Sequence, residues 1–246
     1  MDLLDFVGLA IGGLAAGALS TVAGMGGGLA LVAVLSLVVG PHVALATTAP
    51  ALLVGNLHRT ARHRHAIDRP LARQFAIGAL PGAIVGGVLS VALPELALSL
   101  LLVAVNTLAL LRAYGRVSLR PRPSWMVPVA FGAGTVAATS GAGVIVAPLL
   151  VAGGLSGEAL VATGSFVAVL LHVGRIAGYG VSGLLGGAAL GSSLVLATFL
   201  VSGNHLGERL RARLGPARCE AATRLSLFVA LGLGVLGVIA RSGLLG

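Results

Sequence analysis

Lysine is absent from this chain of 246 residues, so all 16 of its basic residues are arginines. Acidic residues are scarce too: the seven are Asp2, Asp5, Asp68, Glu95, Glu158, Glu208 and Glu220. Charged residues make up only 9% of the sequence, where a soluble domain carries about a quarter. An ordinary water-soluble globule is therefore excluded. The lone cysteine, Cys219, excludes an internal disulfide and a multi-cysteine metal centre. No HExxH, no GxSxG elbow and no P-loop occurs, and Gly24-Met25-Gly26 runs on to Leu29 rather than completing GxGxxG. Neither an enzyme nor a cofactor is expected. No acidic residue falls near the middle of an apolar run, which disfavours carboxylate-driven transport and carboxylate cation sites. Proton coupling, if present, would fall to His172, the only titratable group of consequence inside a run.

What the chain has is apolar length. It is 57% hydrophobic, with a mean hydropathy of +1.05. Apolar runs cover roughly 6–39, 42–58, 74–93, 96–111, 126–152, 157–174, 184–207 and 225–240, and a helical bilayer crossing needs about 20 residues. The runs are continuous rather than alternating, which selects helices over a barrel. The expected fold is an all-α polytopic membrane protein of the inner cell membrane. The first and fifth runs are too long for one crossing, and glycine-rich stretches interrupt both; each other run fits one helix. The start, MDLLDFVGLA, has Asp2 and Asp5 and no basic n-region, and reads as a retained first span rather than a cleaved signal. The net charge of +9 could suggest nucleic acid. The arginines, however, gather between the runs, as topology signals and contacts to anionic lipid do, so no nucleic-acid partner is expected. His58, His63 and His65 lie in HRTARHRH, a basic loop rather than a metal site.

The sequence repeats. Gly24 to Thr47 is matched at constant offset by Ser140 to Thr163, SGAGVIVAPLLVAGGLSGEALVAT; Gly27 falls on Gly143, Ala46-Thr47 on Ala162-Thr163 and Arg59 on Arg175. Further on, Gly82 and Gly86 match Gly203 and Gly207 after a short insertion. The halves are 1–118 and 125–246, joined by a basic linker at 119–124. Their loop charges are opposed. The loop after Arg59 is rich in arginine and its counterpart after Arg175 has none; LPEL at Leu93 to Leu96 has none and its counterpart holds Arg209, Arg211, Arg213, Arg218 and Arg224. Opposite bias in matching loops predicts two inverted-topology repeats of about four helical segments each, an architecture of secondary transporters. Each half must then cross an odd number of times, so the broken first run is either partial or re-entrant, or counts twice.

In such folds, helices broken at matching places form the binding site. The candidate breaks are Gly24, Gly26, Gly27 and Gly28 in one half and Ser140, Gly141 and Gly143 in the other. Helix N-termini there would favour an anion, and glycine allows close approach and positive φ. The competing reading is helix packing, which the small-xxx-small pairs Gly8/Gly12, Gly13/Gly17, Gly82/Gly86 and Gly187/Gly191 suggest. Thr47, Thr48, Thr139, Ser140, Thr163 and Ser165 lie in or beside the breaks and either donate to an anion or bond back to their own helix. Asn56 and His172 stand one turn before the paired Arg59 and Arg175. Arg175, alone in its loop, either marks a pathway or snorkels to the interface.

These residues carry a resemblance. GMGGG followed by an apolar run and ALATT, then Arg59; SGAGVIVAPLL with GLSGEALVATGS; and ALPGAIVGG together resemble the sulfite exporter TauE/SafE family of bacterial membrane permeases, over essentially the whole chain. The resemblance implies export or uptake of a small anion such as sulfite, an organosulfonate or another small organic acid. An alternating-access permease with its site between the repeats is expected. The alternatives are a passive anion channel and a non-transport membrane assembly factor. The expected partners are the anion and the lipid bilayer, with room for a homo-oligomer. The chain departs from the family pattern at SGAG, where glycine is sparser, and in lacking a first-half proline to match Pro148.

Overall fold

A computed structural model describes residues 3–23, 27–117, 121–141 and 143–242. Gly24, Met25 and Gly26 of the first glycine cluster, and Ala142 of the second, lie outside the described residues. The first apolar run divides into α1 (Leu3–Val22) and α2 (Gly27–Val39), followed by α3 (Pro41–Arg62), α4 (Arg69–Ala92) and α5 (Glu95–Ala113). The fifth run divides likewise. It gives α6 (Met126–Ser140), a single 3-10 turn at Gly143–Ile145 and α7 (Val146–Ala152), followed by α8 (Gly157–Val181), α9 (Gly187–Arg213) and α10 (Pro216–Arg241). No strand occurs among the described residues. The chain is an all-α polytopic membrane protein.

Local chemistry sets the boundaries. Gly40, with φ of 84°, turns the chain between α2 and α3, and a proline opens the first turn of α3. Asp68 caps α4 by accepting the Leu71 amide at 2.9 Å. Gly141 ends α6 in the left-handed region, at φ 74°, where a Cβ would also meet the Leu45 side chain. α1, α4, α5, α8, α9 and α10 are long and apolar enough to cross a membrane. α3 has 22 residues but is diluted by Thr47, Thr48, Asn56, His58, Arg59 and Arg62. α2, with 13 residues, and α7, with 7, reach only about 20 Å and about 10 Å, short of a hydrocarbon core about 30 Å thick. Among the described residues five α-helices therefore fall in 1–118 and five in 125–246, one more each than the sequence suggested, because each long run is two helices.

Close pairs fix the helix directions. Ser193 Oγ donates to the Thr47 carbonyl at 2.7 Å, Asn204 Nδ2 to the Gly55 carbonyl at 3.1 Å, and Arg62 meets Glu208 at 3.5 Å. α3 and α9 thus run side by side in one direction. α4 starts where α3 ends and runs back, and α8 follows it, with Gly174 against Leu80 and Ala83 and Gly178 against Ile84 and Gly87. The equivalent helices α3 and α8 therefore point opposite ways. The most extensive packing, α4 on α6 and α1 on α9, joins one half to the other, so the halves interlock.

Those two contacts rest on glycine. A Cβ at Gly17 would fall on the Leu200 carbonyl and one at Gly203 on the Leu14 carbonyl; Gly82 sits on the Phe131 carbonyl and Gly86 on that of Thr135. Gly13/Gly17 and Gly82/Gly86 therefore pack as their spacing suggests. Gly8, Gly187 and Gly191 do not: a Cβ on any of them meets nothing within 4 Å, and Gly12 meets only the Leu31 side chain. Spacing alone does not say which face of a helix meets a partner. Gly17→Leu and Gly82→Leu are each expected to destabilise the protein by about 2 kcal/mol or more, seen as a lower midpoint in thermal unfolding in detergent, while Gly191→Leu leaves the midpoint unchanged.

Candidate functional site

The end of α1 is a helix C-terminus inside the bundle, and its last carbonyls need donors. Three other helices supply them. Arg59 Nη1 of α3 donates to the Ser20 carbonyl at 2.9 Å, Arg211 Nη1 of α9 to the Thr21 carbonyl at 3.5 Å, and Thr223 Oγ1 of α10 to the Ala23 carbonyl at 3.0 Å. Arg59 is held further by Asn56, whose Oδ1 accepts from Nη2 at 2.5 Å. Asn56 in turn donates to the Leu52 carbonyl at 2.7 Å. Across the bundle, Arg112 Nη2 at the end of α5 donates to the Pro148 carbonyl of α7 at 3.2 Å.

These groups surround a cavity of about 700 Å³. Its walls come from both breaks: Gly28 and Leu29 from the start of α2, and Gly141, Gly143 and Pro148 from the second. Arg59, Arg112, Arg211 and Arg224 line it, against one carboxylate, Glu220, which is paired with Arg224. Arg224 also stands over the Tyr114 ring, 5.0 Å from its centroid. Arg59 Nε and Arg224 Nε are buried without a hydrogen-bond partner among the described residues. Guanidinium charge in excess of carboxylate, against apolar walls, suits an anion small enough for several arginines to share.

The sequence candidates divide around this cavity. Gly28, Asn56, Arg59, Gly141, Gly143, Ser165 and His172 line it. Gly24 and Gly26 lie outside the described residues. Gly27 faces α1 instead, where a Cβ would strike the Ala16 carbonyl and Ser20. Thr48 bonds back to the Ala44 carbonyl at 2.7 Å and Ser140 to that of Val136 at 2.8 Å. Thr163 Oγ1 accepts the Asp68 amide at 2.9 Å, tying the α3–α4 connection to α8. Thr47 lies against α9 through its carbonyl. Arg175 does not snorkel: it is 1% exposed. Its Nε donates to the Tyr179 hydroxyl at 3.1 Å, Nη1 meets His172 Nδ1 at 3.2 Å and Nη2 points at the Leu45 carbonyl at 3.5 Å. Tyr179 passes the bonding on to the Ala138 carbonyl near the end of α6. Arg112, Arg211 and Arg224 escaped the sequence reading because they look like loop charges. For Arg112 and Arg224 the available signal was their place directly against the runs 96–111 and 225–240; Arg211, beyond Arg209 in the same stretch, carried none. Among the described residues, no group of three His, Cys, Asp or Glu assembles for a metal; His63 and His65 instead bond Glu158, at 2.9 and 3.2 Å.

A second, far smaller space of about 10 Å³ lies toward the other end of the bundle, room for about one water. Its lining repeats that of the cavity. The offset that carries Gly27 onto Gly143 carries Val32, Pro41 and Leu45 onto Pro148, Gly157 and Val161, and Ala23 onto Thr139. The offset that carries Gly82 onto Gly203 carries Leu98, Ser99 and Leu102 onto Cys219, Glu220 and Thr223. The same surfaces are open at one end and shut at the other. Near the shut space Arg241 Nε meets Glu95 Oε2 at 3.0 Å, and Arg241 Nη2 donates to the Ser36 carbonyl. The open end carries the basic connections: among the described arginines, all but Arg175 and Arg241 fall in or beside the α3–α4, α5–α6 and α9–α10 connections.

No curated protein and no solved structure matches the chain. The sequence model of one family does, that of Sulfite exporter TauE/SafE, over residues 9–238. With an all-α membrane bundle and an arginine-lined cavity already in place, this match makes the chain a member of the sulfite exporter TauE/SafE family.

Proposed function

We propose that the chain is an alternating-access permease of the cell membrane for a small oxyanion, most directly sulfite or a small organosulfonate, and that the cavity between its halves is the substrate site. The family match supports transport, and the arginine excess supports an anion. The observation that carries alternating access is the pairing of the open cavity with its shut counterpart. In an inverted repeat, exchanging the conformations of the two halves shuts the first space and opens the second. The opposite directions of α3 and α8, and the opposed loop charges, support such a repeat, with 1–118 and 125–246 as its units. Arg59 and Arg175 then trade roles: Arg59 now faces the cavity, while Arg175 is sequestered by Tyr179, His172 and Leu45. The basic connections put the open end on the cytoplasmic side by the positive-inside rule. A passive channel fits less well, because it needs a continuous path and the far space holds about 10 Å³.

Purified protein in proteoliposomes is expected to carry radiolabelled sulfite with saturable kinetics and trans-stimulation. Arg59→Gln and Arg112→Gln are each expected to lower the flux about tenfold or more while eluting from size exclusion as wild type does. Non-saturable flux would contradict the permease reading, and wild-type flux in both variants would contradict the site.

A further inference from the structure

One buried polar side chain belongs to neither space. Along α5, Leu98, Ser99 and Leu102 line the shut space and Ala109, Arg112 and Ala113 line the open cavity. They follow one another on a single helix face, at spacings of three and four residues. Val105 and Asn106 fall between the two groups on that face, and Asn106 is the polar one of the two. It is 0% exposed, and neither its Nδ2 nor its Oδ1 has a hydrogen-bond partner among the described residues. The other two asparagines of the chain are both satisfied: Asn56 by the Leu52 carbonyl and Arg59, Asn204 by the Gly55 carbonyl and Thr21.

An unsatisfied carboxamide at this depth is costly, and such groups in native proteins call for an explanation. Packing does not supply one. The offset that carries Leu98 onto Cys219 carries Asn106 onto Leu227, which lines the open cavity. An apolar side chain with the same branching therefore serves at the equivalent place. The neighbours on α5, Leu102 and Val105, pack with Leu45, Val144 and Leu227 in one apolar cluster. Asn106 is the polar exception where the helix passes from one space to the other.

We propose that Asn106 is a substrate-binding residue of the transition between the two states, donating from Nδ2 to an oxygen of the anion as it leaves the arginines. The inference rests on the transport reading above and adds to it a neutral donor on the path. A guanidinium at this point would hold the anion too firmly to release it; a carboxamide offers a donor without a net charge. A small oxyanion, with acceptor oxygens on several sides, can bridge the arginines and Asn106 as it moves.

The test uses the full chain and sulfite as the probe. Asn106→Leu removes the unsatisfied group and keeps the branching of the side chain, with two methyls in place of the oxygen and nitrogen, so its thermal midpoint is expected to stay near that of wild type. Its affinity for sulfite in detergent is expected to stay at the wild-type value, because the cavity arginines are untouched, while sulfite flux into proteoliposomes falls about tenfold or more. Asn106→Ser, which keeps a donor, is expected to retain intermediate flux. Wild-type flux in Asn106→Leu overturns the inference and leaves the transport reading standing. If wild-type protein binds sulfite but carries none, the transport reading falls and this inference falls with it. Should Asn106→Leu not fold, Asn106→Ala decides on the same readout, and unchanged flux in it likewise overturns the proposal.

Discussion

A helix that ends inside an apolar bundle leaves carbonyls with no water to receive, and each must find a donor from elsewhere in the protein. In this chain that constraint organises the site. The end of α1 is met by Arg59, Arg211 and Thr223, drawn from α3, α9 and α10. Meeting it gathers guanidinium charge at the wall of the open cavity, with Arg59 partly buried and Arg211 exposed at its mouth. Most of the bonding goes to carbonyls, which are neutral, so the net charge stays uncompensated. In the proposed function, an anion in the cavity beside the break would do what a carboxylate does in a soluble protein; among the described residues Glu220, already paired with Arg224, is the one acidic residue lining it.

The same constraint is met differently in the second half, and the difference separates the two ends of the bundle. The end of α6 is served by Tyr179, which bonds the Ala138 carbonyl and holds Arg175. Arg175 is the repeat partner of Arg59, yet it is closed in by protein while Arg59 faces open space. Equivalent residues in unlike surroundings are what a two-state molecule built from two similar halves displays in either of its states. The glycine-backed contacts of α1 with α9 and of α4 with α6 give rigid pairs that each draw one helix from each half. In the proposed transport cycle, motion between the states would fall to the parts not locked in this way, among them the short α2 and α7 beside the breaks.

How much of this was written in the sequence depends on how local each feature is. The runs, the two breaks and the repeat were legible, because apolar length, glycine clusters and a constant offset need no knowledge of neighbours. The count of segments was not, since a break inside an apolar run adds a helix without adding a polar loop. Gly187/Gly191 and Gly82/Gly86 have the same spacing, but only the second pair meets another backbone. Arg211 and Arg224 carry the same charge as Arg209 and Arg218; only the way α9 and α10 close over the end of α1 puts the first two in the cavity wall. Asn106 is a polar residue inside the run 96–111, but that alone does not set it apart from Ser99 or Thr107. Its position acquires meaning only once the open and shut spaces are seen on either side of it.

The central claim is that the open and shut spaces exchange. The native cysteine serves the test, because Cys219 lines the open cavity and its counterpart Leu98 lines the shut one. Oriented vesicles carrying either native Cys219, or Leu98→Cys with Cys219→Ser, would be treated with a membrane-impermeant maleimide with and without a sulfite gradient. The account predicts that Cys219 reacts only from the face carrying the arginine-rich connections, and that Leu98→Cys reacts only from the other face, faster when sulfite is being carried. A Leu98→Cys that stays unreactive during turnover, or either cysteine reacting from both faces, would contradict it.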